Sequence, residues 1–276
     1  MNKEQILYED DDIIVCHKPA GIATQTAKIG QRDMVSEITN YLAAHNTADY
    51  FNTSRANACI GGSDSGTVRC SNIYVGIVHR LDQPVEGILV FGRNQKAANE
   101  LSRQIAEKRM EKYYYAVVSG RELSVKPEQE NARKEMLTDY LLKESKSNTS
   151  RIVPPETKGA KKAVLEYEIL DKRLLGSENF SGKLFDGGDS QSIALVRIKL
   201  VTGRHHQIRV QMSHAGMSLL GDYKYADGQT KKLSDALQQK QAALCAYRLV
   251  FTHPASGKRM SFQRSPAGSI FQNFSI

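Results

Sequence analysis

The 276-residue sequence has no tryptophan, four scattered cysteines and no apolar run long enough to cross a membrane. A membrane-spanning helix needs about 20 consecutive apolar residues. The cysteines form no C-x-x-C pair, so the sequence predicts neither a zinc ribbon nor a disulfide framework. The first residues are polar and acidic, unlike a signal peptide. These absences predict a soluble, cytoplasmic protein in a reducing compartment. The cysteines are Cys16, Cys59, Cys70 and Cys245.

Positive charge is in excess, with 38 lysines and arginines against 30 aspartates and glutamates and a formal net charge of +8. This excess favours a polyanionic partner such as nucleic acid, although many basic proteins bind none. The length allows one large domain or two small ones. Charge and length therefore permit an RNA-binding enzyme without identifying one.

Hydrophobic periodicity predicts an α+β fold with a largely antiparallel sheet. Capping residues Asp33 and Asn94 begin two predicted helices, which end near His45 and Arg109. A third helix is predicted over residues 205–215, before Gly216. Predicted strands cover residues 12–16, 87–91, 113–118, 164–170, 193–201, 243–251 and 260–263.

Two segments lack the apolar spacing of packed elements. Residues 46–72 are rich in Asn, Ser, Thr, Gly and Ala, which predicts a long loop or insertion. Residues 121–162 are highly charged with few apolar anchors, which predicts a flexible segment, above all over residues 145–155. Both segments are expected to interrupt the domain without forming a second one.

The tetrapeptide His79-Arg80-Leu81-Asp82 stands just before Pro84 and Gly87. A neighbouring guanidinium favours the ionised form of a carboxylate. Proline restricts its own φ and the conformation of the residue before it, so the turn is constrained. A rigid, charged carboxylate is suited to nucleophilic attack on an electrophilic carbon. A surface aspartate in an ordinary turn would show the same four residues.

Three further motifs accompany H-R-L-D in a fixed order: K-P-A-G at residues 18–21, K-x-Y-x-A-V-V at 112–118 and T-G-R-x-H-Q-I-R at 202–209. Together they resemble the RluA-type family of RNA pseudouridine synthases, from about Ile6 to Pro254. The resemblance implies a mixed central sheet with flanking helices and an RNA-binding cleft. It implies the isomerisation of uridines in structured RNA, ribosomal or transfer, without cofactor or metal. We expect a monomer with a single catalytic domain over residues 1–276 and no separate N-terminal RNA-binding domain.

The resemblance implies three catalytic residues. Asp82 would be the nucleophile, by attachment at C1′ or by a route through a glycal formed at C2′, and the sequence leaves both open. Arg209 would pair with Asp82 through its guanidinium fork. Tyr114 would stack on or hydrogen-bond the target base, or act as the base at C2′. Strand alternation places Tyr113 and Tyr115 on the opposite face, where we predict packing roles.

Three cations are implied RNA contacts. Arg80 would enter the space left by the target nucleotide, because a stacked uridine must be flipped out to be reached. Lys18 and Arg204 would contact phosphates, which position RNA without reading its sequence. An ordinary structural or surface charge is the alternative for each.

Two positions depart from the family pattern. Val85-Glu86 replaces a small polar pair, and Gln211 stands where many relatives carry histidine. A carboxylate pointing at Asp82 would disfavour its charged form, so Glu86 is expected to turn outward. These departures bear on subfamily and substrate more than on activity.

Two other classes of protein are compatible with parts of this sequence. A metal-dependent hydrolase could use His79, His205, His206, His214 and His253, but neighbouring His205 and His206 are expected to diverge, and no H-E-x-x-H motif is present. A catalytically silent RNA-binding relative is the second alternative. A module that only binds RNA has no need of an ionised aspartate in its RNA-binding groove, because the negative charge would lower the affinity for RNA.

Overall fold

A computed structural model describes residues 1–28, 30–56, 73–120, 134–175 and 192–276, without the side chains of residues 46–56. The helices in these ranges are α1 Met34–Ala56, α2 Gln95–Ala106, α3 Gln207–His214 and α4 Gly228–Ala236. The strands are β1 Ile6–Glu9, β2 Ile13–Lys18, β3 Gly76–Ile77, β4 Glu86–Gly92, β5 Glu111–Ser119, β6 Glu135–Glu144, β7 Thr149–Ile152, β8 Lys161–Leu174, β9 Ser192–Leu200, β10 Ser218–Leu219, β11 Leu244–Thr252 and β12 Arg259–Gln263. Short 3-10 helices cover Lys3–Gln5 and Ser269–Asn273.

All twelve strands belong to one sheet, whose main order is β1-β2-β4-β11-β5-β9-β8-β6-β7. The remaining strands pair at its sides, β3 with β4, β10 with β5 and β12 with β11. Among the described strands, only β4 and β11 run parallel. The predicted α+β fold with a largely antiparallel sheet is therefore confirmed.

The central strands are apolar on both faces. On β9, Ala194, Val196 and Ile198 belong to a core layer that also contains residues of α1 and α3. Ile193 and Leu195 belong to a second layer with α4 and the last 3-10 helix. Leu81 and Tyr114 lie in the first layer, so the predicted catalytic residues occupy that face of the sheet.

The predicted starts of α1 and α2 are confirmed by their capping bonds, whereas α3 begins at Gln207, two residues later than predicted. Asp33 Oδ1 accepts a hydrogen bond from Ser36 N at 2.8 Å, and Asn94 Oδ1 accepts one from Ala97 N at 2.8 Å. Such bonds satisfy backbone donors that a helix leaves unpaired at its first turn. Helix α2 ends earlier than predicted, before Lys108, which adopts a left-handed φ of 56°.

The loop predicted over residues 46–72 is wrong in its first part, because α1 continues to Ala56. No glycine or proline interrupts this stretch, and each residue added to a formed helix gains a backbone hydrogen bond. Residues 57–72 lie outside the described residues. Composition alone therefore underestimated the length of α1.

The flexible segment predicted over residues 121–162 is wrong for its described part. Strands β6 and β7 form a hairpin, here called the β6–β7 hairpin, and β6 also pairs with β8. On β6, Leu137, Asp139 and Leu141 alternate with more exposed residues. A sheet with one solvated face tolerates many charges on that face. The alternation of buried and exposed residues was therefore not evident from the composition of the segment. Residues 121–133 lie outside the described residues.

Strand β1 and helix α4 were not predicted. Asp227 caps α4 by accepting a hydrogen bond from Thr230 N at 2.7 Å. Within the described ranges, no helix is both long and apolar enough to cross a membrane.

Candidate active site

Asp82 lies in the connection between β3 and β4, which is bound to the loop after β2. Thr24 Oγ1 donates to Leu81 O at 2.9 Å and accepts from Leu81 N at 3.1 Å. Gly21 N donates to Gln83 O at 2.8 Å, and Gln83 Nε2 donates back to Gly21 O at 3.1 Å. These hydrogen bonds hold the residues on both sides of Asp82, so its backbone is fixed before any substrate binds.

Lys18 is completely buried under this connection and does not contact solvent. Its Nζ donates to Pro19 O at 3.1 Å, Ile22 O at 2.6 Å and Gln83 O at 3.2 Å. Burial lowers the pKa of Lys18 to about 8, although two neighbouring carboxylates oppose the shift. The predicted phosphate contact of Lys18 is therefore wrong. Its three donors are used by the carbonyls that shape the Asp82 connection.

We expect the stability contributed by Lys18 to increase as the pH rises from about 7.5 to 9.5. The folded pKa of about 8 lies below that of an exposed lysine, about 10.4. In this window the unfolded chain keeps a proton that the folded protein has lost, so the free energy of unfolding rises with pH. The difference in that free energy between wild type and Lys18→Met should grow by about 2 kcal/mol.

Urea denaturation at stepped pH values measures this difference. Lys158→Met, at an exposed position, is the control and should give a difference that does not change with pH. A constant difference for Lys18→Met as well would contradict the buried ammonium.

Arg209 on α3 joins two carboxylates. Its Nε and Nη2 donate to Asp222 Oδ2 and Oδ1, each at 2.7 Å, and its Nη1 donates to Asp82 Oδ2 at 3.1 Å. The side chains of Arg209 and Asp222 are 6% and 1% exposed, whereas that of Asp82 is 26% exposed. Burial lowers the pKa of Arg209, but the opposite effect of the two carboxylates is larger. The pKa therefore lies above its usual value, and the guanidinium stays charged. The predicted contact between Arg209 and Asp82 is present.

The sequence motifs predicted no role for Asp222 or Tyr225. Asp222 Oδ1 accepts from Lys224 N at 3.1 Å, and the Tyr225 ring lies 5.1 Å from the Arg209 guanidinium carbon. Gly221 makes this turn possible: its φ is 72°, and a Cβ there would lie 2.0 Å from Gln241 O. The turn after β10 brings Asp222 against α3, a contact that no sequence spacing indicates.

His205 and His206 stack with ring centroids 3.7 Å apart, so the prediction that they diverge is wrong. His206 has a left-handed φ of 53°, which departs from both strand and helix geometry. Its Nδ1 lies 2.6 Å from the Tyr225 hydroxyl and its Nε2 lies 3.7 Å from Asp82 Oδ2. Burial lowers the pKa of His206 to about 4, so the ring is neutral near pH 7.

The other histidines do not assemble a metal site around Asp82. His79 Nε2 accepts from Val90 N at 3.2 Å, and desolvation lowers the pKa of His79 to about 3. His253 Nε2 lies 2.7 Å from Asp10 Oδ2, near Asp12. Asp10 Oδ2 also accepts from the Tyr8 hydroxyl at 2.8 Å, so this group is bound by protein donors. Within the described residues, the group of side chains close enough to share a metal ion, Asp10, Asp12 and His253, does not include Asp82.

Tyr114 is buried on the same sheet face as Asp82. Burial, with a smaller effect from Asp82, raises the pKa of Tyr114, so the phenol keeps its proton. This disfavours a role as proton acceptor at C2′ and leaves a ring that can support a base. Tyr115 stacks on Tyr247 at 3.8 Å, and Tyr113 donates to Glu111 at 2.6 Å, which confirms their predicted packing roles.

Arg80 and Arg204 are exposed, in contrast to Lys18. Arg80 Nη2 donates to Gln25 Oε1 at 3.3 Å, and Arg204 Nε donates to Lys162 O at 2.9 Å. Neither has an acidic partner among the described ion pairs. Both remain available to a phosphate.

Glu86 does not turn outward as predicted. It is buried, and its oxygens accept from Ala267 N and Gly268 N, each at 3.1 Å. Burial raises the pKa of Glu86, but the combined opposite effect of His17 and these amides is larger. The pKa therefore lies below its usual value, and the carboxylate stays charged. Glu86 therefore holds the C-terminal segment against β4.

Gln211, the second departure, is fully buried. Its Oε1 accepts from Gln207 Nε2 at 2.9 Å, and its Nε2 donates to Asp139 Oδ2 at 2.7 Å. Gln211 thus ties α3 to β6 in the core behind the site.

The sequence is similar to those of known pseudouridine synthases. The sequence model of the RNA pseudouridylate synthase family matches residues 12–214. The chain is 28% identical over 283 residues to ribosomal large subunit pseudouridine synthase D of Neisseria meningitidis, covering 98% of this chain but only 60% of that relative. It is 27% identical over 262 residues to tRNA pseudouridine synthase C of Vibrio parahaemolyticus, covering 95% of this chain and 89% of that relative.

Among solved structures, the chain resembles human RNA pseudouridylate synthase domain containing 4, with a TM-score of 0.61 and 18% identity over 98% of this chain and 91% of the other. Human RNA pseudouridylate synthase domain containing 1 gives a TM-score of 0.58 at 19% identity, over 95% of this chain and 83% of the other. At these identities the similarity concerns the fold alone.

Proposed function

The chain belongs to the RNA pseudouridylate synthase family, and on that premise we propose that it converts specific uridines in structured RNA, ribosomal or transfer, to pseudouridine. The reaction breaks the C1′–N1 bond, turns the uracil and joins its C5 to C1′, while a proton leaves C5. It involves no net redox change and transfers no group to another molecule. The chemistry therefore requires neither cofactor nor metal.

This proposal rests on the contacts of the Asp82 carboxylate, which involve one of its two oxygens. In the described part of the chain, Arg209 and His206 both approach Oδ2, at 3.1 and 3.7 Å, and the side chain is 26% exposed. A carboxylate held at one oxygen and open at the other is suited to attack on C1′ of a ribose. Arg209 in turn is held by Asp222, so its direction is fixed without a contribution from substrate.

Tyr114 and Arg80 complete the proposed site. A uridine stacked in an RNA helix must leave the stack before its C1′ can reach Asp82. Tyr114, buried beside the site, offers a ring against which the extruded uracil rests. Arg80 is exposed two residues before Asp82 and fills the space left in the RNA.

RNA affinity should fall steeply with salt. The chain carries a net charge of +8, and each phosphate that a cation neutralises contributes about 0.7 to 0.9 log units of affinity per tenfold salt. Arg80→Gln and Arg204→Gln should each reduce the slope by about one phosphate. Fluorescence anisotropy with a labelled structured RNA measures the slope. Lys96→Gln, at an exposed position on α2, should leave it unchanged, because buried residues of α2 belong to a different core cluster from Leu81 and Tyr114.

Release of hydrogen from uracil C5 tests the activity. The purified protein should release tritium from total cellular RNA labelled at C5 of uridine, because that hydrogen leaves when C5 joins C1′. RNA binding without release would favour the catalytically silent alternative. Sequencing that maps pseudouridine in the RNA of a deletion strain would then identify the target.

We further infer that the protein works as a cytoplasmic monomer. Asp82, Arg209, Asp222 and Tyr114 all come from one chain, so the site is assembled without a second copy. Cys16 and Cys245, the cysteines within the described residues, are buried free thiols, in keeping with a reducing compartment. A dimer in sedimentation analysis would contradict the inferred monomer.

A further inference from the structure

We propose that His206 is a positioning residue that holds Asp82 through one carboxylate oxygen, and that it does so as the neutral tautomer with hydrogen on Nε2. The tautomer is a property of the free protein. The consequence for catalysis rests on the proposed function.

The Tyr225 hydroxyl selects this tautomer. Its oxygen accepts a hydrogen bond from Ser150 N at 2.9 Å and lies 2.6 Å from His206 Nδ1. If Nδ1 carried hydrogen, two N–H groups would point at the hydroxyl, and its own hydrogen would lack an acceptor among the bonds of the described residues. With Nδ1 bare, Ser150 donates to Tyr225 and Tyr225 donates to His206. The hydrogens of Ser150 N and of the Tyr225 hydroxyl then each have an acceptor.

The remaining nitrogen of His206 faces the nucleophile. A neutral imidazole carries one hydrogen, so a bare Nδ1 places that hydrogen on Nε2, which lies 3.7 Å from Asp82 Oδ2. Arg209 donates to the same oxygen. Contacts in a free enzyme are often longer than hydrogen bonds and tighten when substrate binds. We therefore expect the Nε2–Oδ2 approach to close in the RNA complex.

The ring of His205 holds the imidazole of His206 in place. The two rings stack at 3.7 Å. The His205 ring is bound by the β6–β7 hairpin, with Nδ1 2.9 Å from Ser150 Oγ and Nε2 3.1 Å from Asn148 Oδ1. The left-handed backbone of His206, with φ at 53°, is what turns its ring onto this stack. Non-glycine residues persist in that conformation where the surroundings impose it.

Two contacts at one oxygen restrict the orientation of the Asp82 carboxylate. A carboxylate bound by a single N–H can rotate about its Cβ–Cγ bond, so its free oxygen takes a range of directions. With both Arg209 and His206 at Oδ2, rotation would break two contacts, and the free oxygen stays directed at the ribose. Loss of His206 should therefore lower kcat and leave KM for RNA unchanged.

The tautomer is measured by the ¹⁵N chemical shifts of His206 in the free protein, which separate a protonated from a bare ring nitrogen. We expect a protonated Nε2 and a bare Nδ1 at pH 7. A protonated Nδ1 would overturn the proposal, whatever the activity of the protein. In Tyr225→Phe the selecting hydroxyl is gone, and the shifts of both nitrogens should move toward a mixture.

The positioning role is measured with two substitutions of similar size. The amide nitrogen of His206→Gln can reach the place of Nε2 and still donate to Asp82, whereas that of His206→Asn reaches only the place of Nδ1. Loss of one positioned donor at a charged site lowers rates about 100-fold. We expect kcat for C5-hydrogen release to fall about 100-fold in His206→Asn and less than about tenfold in His206→Gln.

His214→Gln, at an exposed histidine at the end of α3, is the control and should retain wild-type kinetics. Equal losses in the Asn and Gln variants, or a rise in KM with constant kcat, would overturn the positioning role. If wild-type protein releases no hydrogen, the proposed function fails, while the tautomer measurement still decides the structural part of the proposal.

Discussion

Asp82→Asn should abolish turnover while the protein still binds RNA. Asparagine keeps the size of aspartate but removes its charge, so the rate of C5-hydrogen release should fall by at least about 10⁴-fold. Arg209 keeps both hydrogen bonds to Asp222 in this variant, so the site should not rearrange. RNA affinity should stay the same or increase slightly, because the substitution removes a negative charge from the proposed RNA-binding site.

Hydrogen release and RNA affinity must be measured on one preparation of Asp82→Asn. Asp171→Asn is a matched control, because Asp171 is a partly exposed aspartate on β8 whose partner, Arg173, is exposed as well. It should leave turnover and affinity unchanged. Near-normal turnover in Asp82→Asn would mean that another residue carries the reaction.

Asp222→Asn should have the largest effect on stability. Asp222 is 1% exposed and supplies both oxygens to the guanidinium of a 6% exposed Arg209. Asparagine keeps one acceptor oxygen but no charge, so within the described residues the buried cation is left with Asp82 as its carboxylate partner. Removing one partner from a buried ion pair costs about 3–5 kcal/mol, and we expect the free energy of unfolding to fall by about 3 kcal/mol. Turnover should fall as well, because Arg209 no longer has a fixed direction.

Urea denaturation of Asp222→Asn, with an unchanged m-value, measures this loss. Asp235→Asn is the control: Asp235 accepts from the exposed Tyr223 hydroxyl at 2.5 Å, and its loss should change stability by less than about 0.5 kcal/mol. Asp82→Asn should also cost little, since Arg209 retains Asp222. A similar cost for Asp82→Asn and Asp222→Asn would contradict the division between a supporting and a reacting carboxylate.

The sequence alone indicated most of the local elements and singled out Asp82. Alternation and apolar runs located seven strands, because burial of one face imposes a period of two. They are β2, β4, β5, β8, β9, β11 and β12. Asp33 and Asn94 marked helix starts because their side chains satisfy donors at the first turn. The order of the motifs around Asp82 indicated the family, since each motif is contiguous in the chain.

Only the tertiary structure decided which charges belong to the site. Lys18 and Arg80 are both cations beside a motif, yet one is buried against three carbonyls and the other is exposed. Asp222 reaches Arg209, and Tyr225 and His206 meet, through turns that bring separate segments together. Pattern and propensity describe neighbours along the chain. Burial and hydrogen bonding between distant segments are properties of packing, and they determine which carboxylate supports Arg209 and which is free to react.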